Sequence, residues 1–381
     1  MAGILVVFGT RPEAIKLTPV ILALKQRCVP TRVCVTGQHR ELLDLALGME
    51  AIEPDIDLDL MRPGQSIGQL TGRMVEMLDQ AFAVDPPERV VVQGDTATAL
   101  AAAQAAYFRG IPVAHVEAGL RTGDLGGPHP EEGNRRMIAT ISDMHFAPTI
   151  GAAQALRAEG VSAAAVHVTG NTVVDALHGI RARLAKEPGL ARAAATIIDL
   201  RGGRRLVLVT CHRRESFHAT ADITAAIREI AARPDVLVVL PLHLNPAIRG
   251  PLVAALDAHP NIALVEPLDF APFIALLSAA HLVLTDSGGV QEEAPILGVP
   301  VLVMRDRTER PDGVAAGTAR LTGTSARRIV TETFRLLDNP GLHARMARRH
   351  SPYGDGQAAG RIADIIAEAH GYASSAIASA E

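Results

Sequence analysis

Short runs of branched aliphatic residues recur along this chain at intervals that leave room for one helix between each pair, and this rhythm constrains the fold more than any other feature. In the first half it predicts strands at Ile4–Phe8, Arg32–Thr36, Val90–Gln93, Val113–Val116, Asp143–Phe146 and Val166–Thr169. Helical patterns lie between them, near Glu13–Lys25, Arg40–Leu47, Ile67–Ala83, Thr96–Phe108, Glu131–Ser142 and Thr149–Glu159. The second half repeats the pattern, with strands predicted at Leu206–Thr210, Val236–Pro241, Ile262–Glu266, His281–Thr285 and Val299–Val303. Continuous apolar runs, rather than strands alternating polar and apolar, imply parallel sheets covered by helices on both faces.

A length of 381 residues suits roughly two to three domains. The best boundary falls between the Val166 and Leu206 strands, where Ala- and Arg-rich helical sequence ends in Leu200-Arg201-Gly202-Gly203. The expectation is an α/β protein of two Rossmann-like, doubly wound parallel-sheet domains facing each other across a cleft. Residues 1–170 form the first domain and residues 171–356 the second, and a C-terminal helix at residues 357–371 packs back on the first. A formal net charge of −4 offers no bulk attraction to nucleic acid or to an anionic membrane. No apolar run reaches the roughly 18 residues of a membrane span, and the N-terminal run Gly3–Phe8 is too short for a signal segment. Cys28, Cys34 and Cys211 are odd in number and have no C-x-x-C spacing, as expected of buried thiols in a reducing compartment. A cytoplasmic protein is expected.

The candidate chemistry sits where predicted strands end. Leu282–Thr285 runs into Asp286-Ser287-Gly288-Gly289 and then a helical stretch carrying Glu292 and Glu293. A glycine-bared helix start presents N–H donors and the positive end of the helix dipole to a phosphate or diphosphate. Glu292 or Glu293, one turn on, could take the hydroxyls of a ribose. The same residues also fit an ordinary capped turn with Ser287 or Asp286 as N-cap. The first strand ends in Gly9-Thr10-Arg11-Pro12-Glu13-Ala14-Ile15-Lys16, which is not a G-x-G-x-x-G turn, so no NAD fingerprint and no cofactor are expected. Arg11 and Lys16 suit a phosphate, or else pair with surface carboxylates. Asp95 and Glu117 stand just past two predicted strand ends of one sheet edge, and Glu131 begins a helix after the polar loop Arg121–Pro130. Asp95 alone would read as a helix N-cap. Three carboxylates together suit proton transfer at carbon, with like charges raising one another's pKa. After Leu206–Thr210, His212, Arg213 and Arg214 could place an imidazole and two guanidiniums over a diphosphate, although a lone His is often structural.

These stretches, in order, resemble the non-hydrolysing bacterial UDP-N-acetylglucosamine 2-epimerases. The resemblance rests on Phe8–Lys16, Gly37-Gln38-His39-Arg40-Glu41, Gly94-Asp95-Thr96, His115–Thr122, Pro130-Glu131-Glu132, Thr169–Val173, His212–Glu215, Thr285–Glu293, Arg305-Asp306, Thr308–Pro311 and Pro352–Gly356. It implies the GT-B architecture and an isomerase that interconverts UDP-GlcNAc and UDP-ManNAc for surface polysaccharide synthesis. UDP is eliminated across C1–C2, 2-acetamidoglucal and UDP are held together, and UDP is added back with the opposite configuration at C2. The implied catalytic residues are Asp95, Glu117, Glu131 and His212. The implied substrate contacts are Arg11, Lys16, Asp95, Glu117, His212, Phe273, Ser287, Gly288, Gly289, Glu293 and Arg310, with backbone groups of Phe273 on uracil, Glu293 on ribose and Arg310 near sugar or phosphate. Leu268 stands where relatives often carry Gln near the uracil. Gln38, His39, Arg213 and His243 match part of an activator site for a second UDP-GlcNAc, from which Glu41 and Gln65 depart. A homodimer is typical of the family. A GT-B glycosyltransferase, a hydrolysing epimerase, a nucleotide-sugar sensor and an epimerase of diacetamido-uronates are the competing expectations.

Overall fold

The computed structural model describes residues 3–37, 52–62, 64–211, 219–243, 245–348 and 352–372. The chain falls into two compact units, Met1–Ala176 with Tyr353–Glu381, and Leu177–Pro352. Each is a doubly wound parallel sheet, so the pair are Rossmann-like domains of the kind from which GT-B proteins are built. The helix predicted at Arg40–Leu47 lies outside the described residues.

In the first unit seven strands are described: β1 (Ile4–Phe8), β2 (Thr31–Val35), β3 (Ile56–Asp57), β4 (Arg89–Gln93), β5 (Val113–Val116), β6 (Met144–Ala147) and β7 (Val166–Val168). Their order across the sheet is β3-β2-β1-β4-β5-β6-β7, and every pairing is parallel. β1 and β4 are buried along their whole length, which is why their sequences show no polar alternation. Helix Ala97–Phe108 covers one face. Its nearly unbroken alanines allow close packing against helices Ile67–Val84 and Glu131–Ile141. Helix Ala358–Ala369 puts Ile362 and Ile366 into the core of the other face, beside Leu17, Ile21 and Leu24 of helix Arg11–Gln26.

The second unit has six described strands, β8 (Arg205–Thr210), β9 (Val236–Pro241), β10 (Ile262–Val265), β11 (Leu282–Thr285), β12 (Val301–Val303) and β13 (Ala319–Leu321). They are parallel throughout, in the order β10-β9-β8-β11-β12-β13. β3 and β13 had no counterpart among the expected strands. Both are two or three residues long and lie at sheet edges, where a brief mixed sequence leaves no apolar run to read.

The strand orders fix where ligands can bind. Each sheet reverses direction about its first strand, between β1 and β4 in one unit and between β8 and β11 in the other. At such a switch point the adjoining loops diverge and leave a crevice beyond the carboxyl ends of the strands. The turns Gly9–Arg11 and Gly94–Thr96 leave the first crevice, and Asp286–Gly289 leaves the second. No helix among the described residues is long and apolar enough to cross a membrane.

Candidate functional site

In the first unit the turn after β5 carries Glu117, which has φ +62°. A side chain in that left-handed region costs about 1–2 kcal/mol, and such strain tends to be kept where a site needs it. The turn is held tightly: Ala118 N–H donates to Phe146 O at 3.0 Å. Gly119, at φ +90°, lies so close to helix Ile150–Ala158 that a β-carbon there would stand 2.2 Å from Ala152 O. The carboxylate this presents is buried, and three side-chain donors converge on its Oε2. Gln93 Nε2 donates at 2.9 Å, Asn171 Nδ2 at 3.3 Å, and Lys16 Nζ forms a close ion pair. Lys16 therefore meets an interior carboxylate of the site, not a surface one. Arg11 opens helix Arg11–Gln26 as its first residue and is half-buried.

Asp95 is not the N-cap of the helix that follows. That place belongs to Thr96, whose hydroxyl accepts from Ala99 N–H at 3.0 Å. The Asp95 side chain is instead gripped by Arg135, with Nη2 at 2.6 Å and Nε at 3.0 Å from the same oxygen, while Asn134 Nδ2 holds the Asp95 carbonyl at 2.8 Å. Arg135 also reaches Glu132, a fully buried carboxylate that accepts from Thr122 N–H at 3.0 Å. Glu131 begins helix Glu131–Ile141, half-buried, and its side chain has no hydrogen-bond or ion-pair partner among the described residues. The expected mutual repulsion of three carboxylates is thus corrected. Asp95 and Glu117 each face a cation of their own, Arg135 and Lys16 respectively.

Beneath these groups His115 is fully buried, and its Nε2–H donates to Gly94 O at 2.8 Å. Burial pushes its pKa down to about 3, so the ring is a neutral prop for the Asp95 turn. Glu13 accepts from Gly9 and Thr10 N–H and from the hydroxyls of Thr10 and Thr96, and burial nonetheless pushes its carboxyl up to about 7.

In the second unit Ser287 occupies the N-cap position of helix Gly288–Leu297, but its hydroxyl makes no capping bond. The turn is set instead by Thr285, whose hydroxyl accepts from Ser287 N–H at 2.9 Å, and by Gln291, whose Nε2 donates to Ser287 O at 3.0 Å. The leading N–H groups of the helix are therefore not satisfied by the side chain best placed to do so, which suits an anion. Gly288 also makes room for a side chain. A β-carbon there would lie 2.6 Å from Cζ and Nη1 of Arg310, so this glycine admits a guanidinium to the helix tip. At Gly289 an added β-carbon would meet nothing closer than Glu293 Oε1 at 3.6 Å, an ordinary contact.

Arg310 is held by buried carboxylates, Nε to Glu292 at 2.8 Å and Nη1 to Glu309 at 2.5 Å, and Arg305 supports Glu309 at 2.8 Å. Glu292 is thereby committed to Arg310. Phe273 N–H donates to Asp269 O at 2.9 Å in the first turn of its helix. Of the candidate activator residues, His243 accepts from Asn245 N–H through Nδ1 at 2.9 Å. Gln65 lines an open groove of about 560 Å3 with Arg62, Gln69, Arg73 and Glu76. His212, Arg213, Gln38 and His39 lie outside the described residues.

Gln93 and Arg135 were missed, and Glu13, Asn171 and Glu309 stood in quoted motifs without a role. Glu13 alone had a local signal, the Thr10-x-x-Glu13 capping box.

The family model for UDP-N-acetylglucosamine 2-epimerase matches residues 22–367. A probable UDP-N-acetylglucosamine 2-epimerase of Ralstonia nicotianae is 50% identical over 370 residues, covering 96% of this chain and 99% of the relative. The crystal structure of UDP-GlcNAc 2-epimerase from Neisseria meningitidis bound to UDP-GlcNAc is similar at TM-score 0.92 and 42% identity, over 96% of this chain and 99% of that one. S. aureus MnaA with UDP is similar at TM-score 0.90 and 38% identity, over 98% of each chain.

Proposed function

The chain belongs to the UDP-N-acetylglucosamine 2-epimerase family, and on that premise we propose that it interconverts UDP-GlcNAc and UDP-ManNAc without hydrolysing either. One carboxylate takes the proton from C2 of the sugar, the electron pair becomes the C1–C2 double bond, and the C1–O bond breaks with its electrons on the leaving β-phosphate oxygen of UDP. The 2-acetamidoglucal and UDP stay bound, UDP oxygen re-adds to C1, and an acid returns a proton to the opposite face of C2. No net oxidation occurs, so no redox cofactor is required.

The observation that carries this reading is Glu117, a carboxylate in strained backbone with Lys16, Gln93 and Asn171 on one oxygen, beside the turn that presents Asp95. Side chains fixed this firmly are preorganised for proton transfer. Asp95, Glu117 and Glu131 divide the proton steps. Ser287, Gly288, Gly289 and Arg310 take the diphosphate, where N–H donors and a guanidinium meet the charge that develops as UDP leaves. Glu293 takes the ribose, the Phe273 stretch takes the uracil, and Arg11 and His212 complete the phosphate contacts. The product serves as a precursor of surface polysaccharide, and the active form is a homodimer. Light scattering at micromolar concentration is expected to give twice the 40.1 kDa chain mass, and a monomer mass would refute the dimer.

The deciding experiment is incubation with UDP-GlcNAc in heavy water, followed by NMR. UDP-ManNAc carrying deuterium at C2 is the expected product. Free ManNAc with UDP would mean a hydrolase, turnover only with an added acceptor would mean a glycosyltransferase, and no turnover would mean a sensor.

A further inference from the structure

We propose that Glu13 is a positioning residue that fastens the turn carrying Arg11 to the turn carrying Asp95, so that both are delivered to the nucleotide-sugar as one rigid piece. The inference rests on the epimerase reading above and adds to it a residue that touches no substrate. An ordinary capping box uses its glutamate for one N-cap N–H. Here Oε2 accepts from Gly9 N–H at 3.1 Å, Thr10 N–H at 2.9 Å and the Thr10 hydroxyl at 2.8 Å, all from the turn after β1. Oε1 accepts from the Thr96 hydroxyl at 2.6 Å, in the turn after β4. Thr96 cannot easily turn away, because the same hydroxyl accepts from Ala99 N–H at 3.0 Å. Thr10 immediately precedes Arg11, and Thr96 immediately follows Asp95.

The facing donors are backbone amides and hydroxyls, all neutral, and Glu13 is 1% exposed. Burial there pushes its carboxyl up to about 7, and the four donors, which favour the charged form, act against that burial. Capping one helix needs a single acceptor contact, whereas the four contacts here span two turns.

The test uses full-length protein and measures kcat and KM for UDP-GlcNAc, together with amide hydrogen exchange in the two turns. Glu13→Ala is expected to lower kcat about 100-fold with KM within about threefold, since misplacing a reacting group by about 1 Å costs that much. Thr96→Val, which removes the tie between the turns together with the cap bond to Ala99 N–H, should lower kcat by about 10- to 100-fold, and Thr96→Ser, which keeps both, should restore it. Exchange should quicken in both turns of Glu13→Ala. Thr96→Val and Thr96→Ser decide the matter if Glu13→Ala does not fold. Wild-type kcat in Thr96→Val, or a loss confined to thermal stability, would overturn the assignment. If the wild type proves inert toward UDP-GlcNAc, the epimerase reading falls and exchange alone judges the clamp. Quickening in both turns then upholds it, and quickening only at residues 9–12 overturns it.

Discussion

Glu117→Gln is expected to lower kcat for epimerisation by about three orders of magnitude while UDP binds with an affinity within about threefold of wild type. General acid–base catalysis by one positioned group contributes typically 10²- to 10⁴-fold, and Glu117 has the most constrained geometry of the three carboxylates. Its backbone is locked at φ +62°, and Lys16, Gln93 and Asn171 all aim at one oxygen. In the glutamine variant the amide oxygen must face those donors, which turns the NH2 group, with no basic lone pair, toward the substrate. The ion pair to Lys16 is lost at the same time, and removing one member of a buried pair destabilises by up to about 3–5 kcal/mol, less here because the amide oxygen still accepts. Thermal denaturation separates that loss from catalysis. Asp95→Asn and Glu131→Gln should each cost about 10²- to 10⁴-fold for the same reason. A variant that retains near-normal kcat removes its residue from the proton steps. UDP affinity is the control, since the proposed nucleotide groups other than Arg11 belong to the second unit.

Much of this was legible before any coordinates. Fully buried parallel strands give uninterrupted aliphatic sequence, so β1, β5 and β9 are bounded as predicted, and the doubly wound pattern follows from their alternation with helices. Edge strands such as β13 leave no such trace. Asp95 and Glu117 could be singled out because each stands just beyond a strand end, which is where open α/β sheets present ligand-binding groups. Their partners could not. Arg135 lies forty residues from Asp95 in sequence, and Lys16 reaches Glu117 across 101. No local periodicity encodes such pairings, so a reading from spacing left the carboxylates facing one another and inferred repulsion where the fold supplies cations. Gly288 illustrates the same limit. A glycine at a helix tip reads as room for an anion, and only the packing shows that the room is filled by Arg310.

That last contact makes the second strong prediction. Arg310→Ala is expected to weaken UDP binding about 100-fold, since one charge-assisted contact to phosphate accounts for about that factor. It should also lower the melting temperature by about 10 °C, because Glu292 and Glu309, both fully buried, lose the guanidinium between them. Arg310→Lys should recover part of the stability and little of the affinity, because an ammonium cannot hold both carboxylates while presenting a planar face to Gly288. Gly288→Ala alone must push the guanidinium aside, since its new β-carbon would arrive 2.6 Å from Cζ, and should cost about 1–3 kcal/mol by overpacking. The two substitutions are therefore coupled. In an Arg310→Ala background the obstacle is gone, and Gly288→Ala should add almost nothing to the loss of stability or of UDP affinity. Calorimetric titration with UDP and thermal melts on the four members of the cycle measure this directly. If the effects of Gly288→Ala and Arg310→Ala simply add, the glycine is not there to admit the arginine, and the helix tip must be read as a bare backbone cradle.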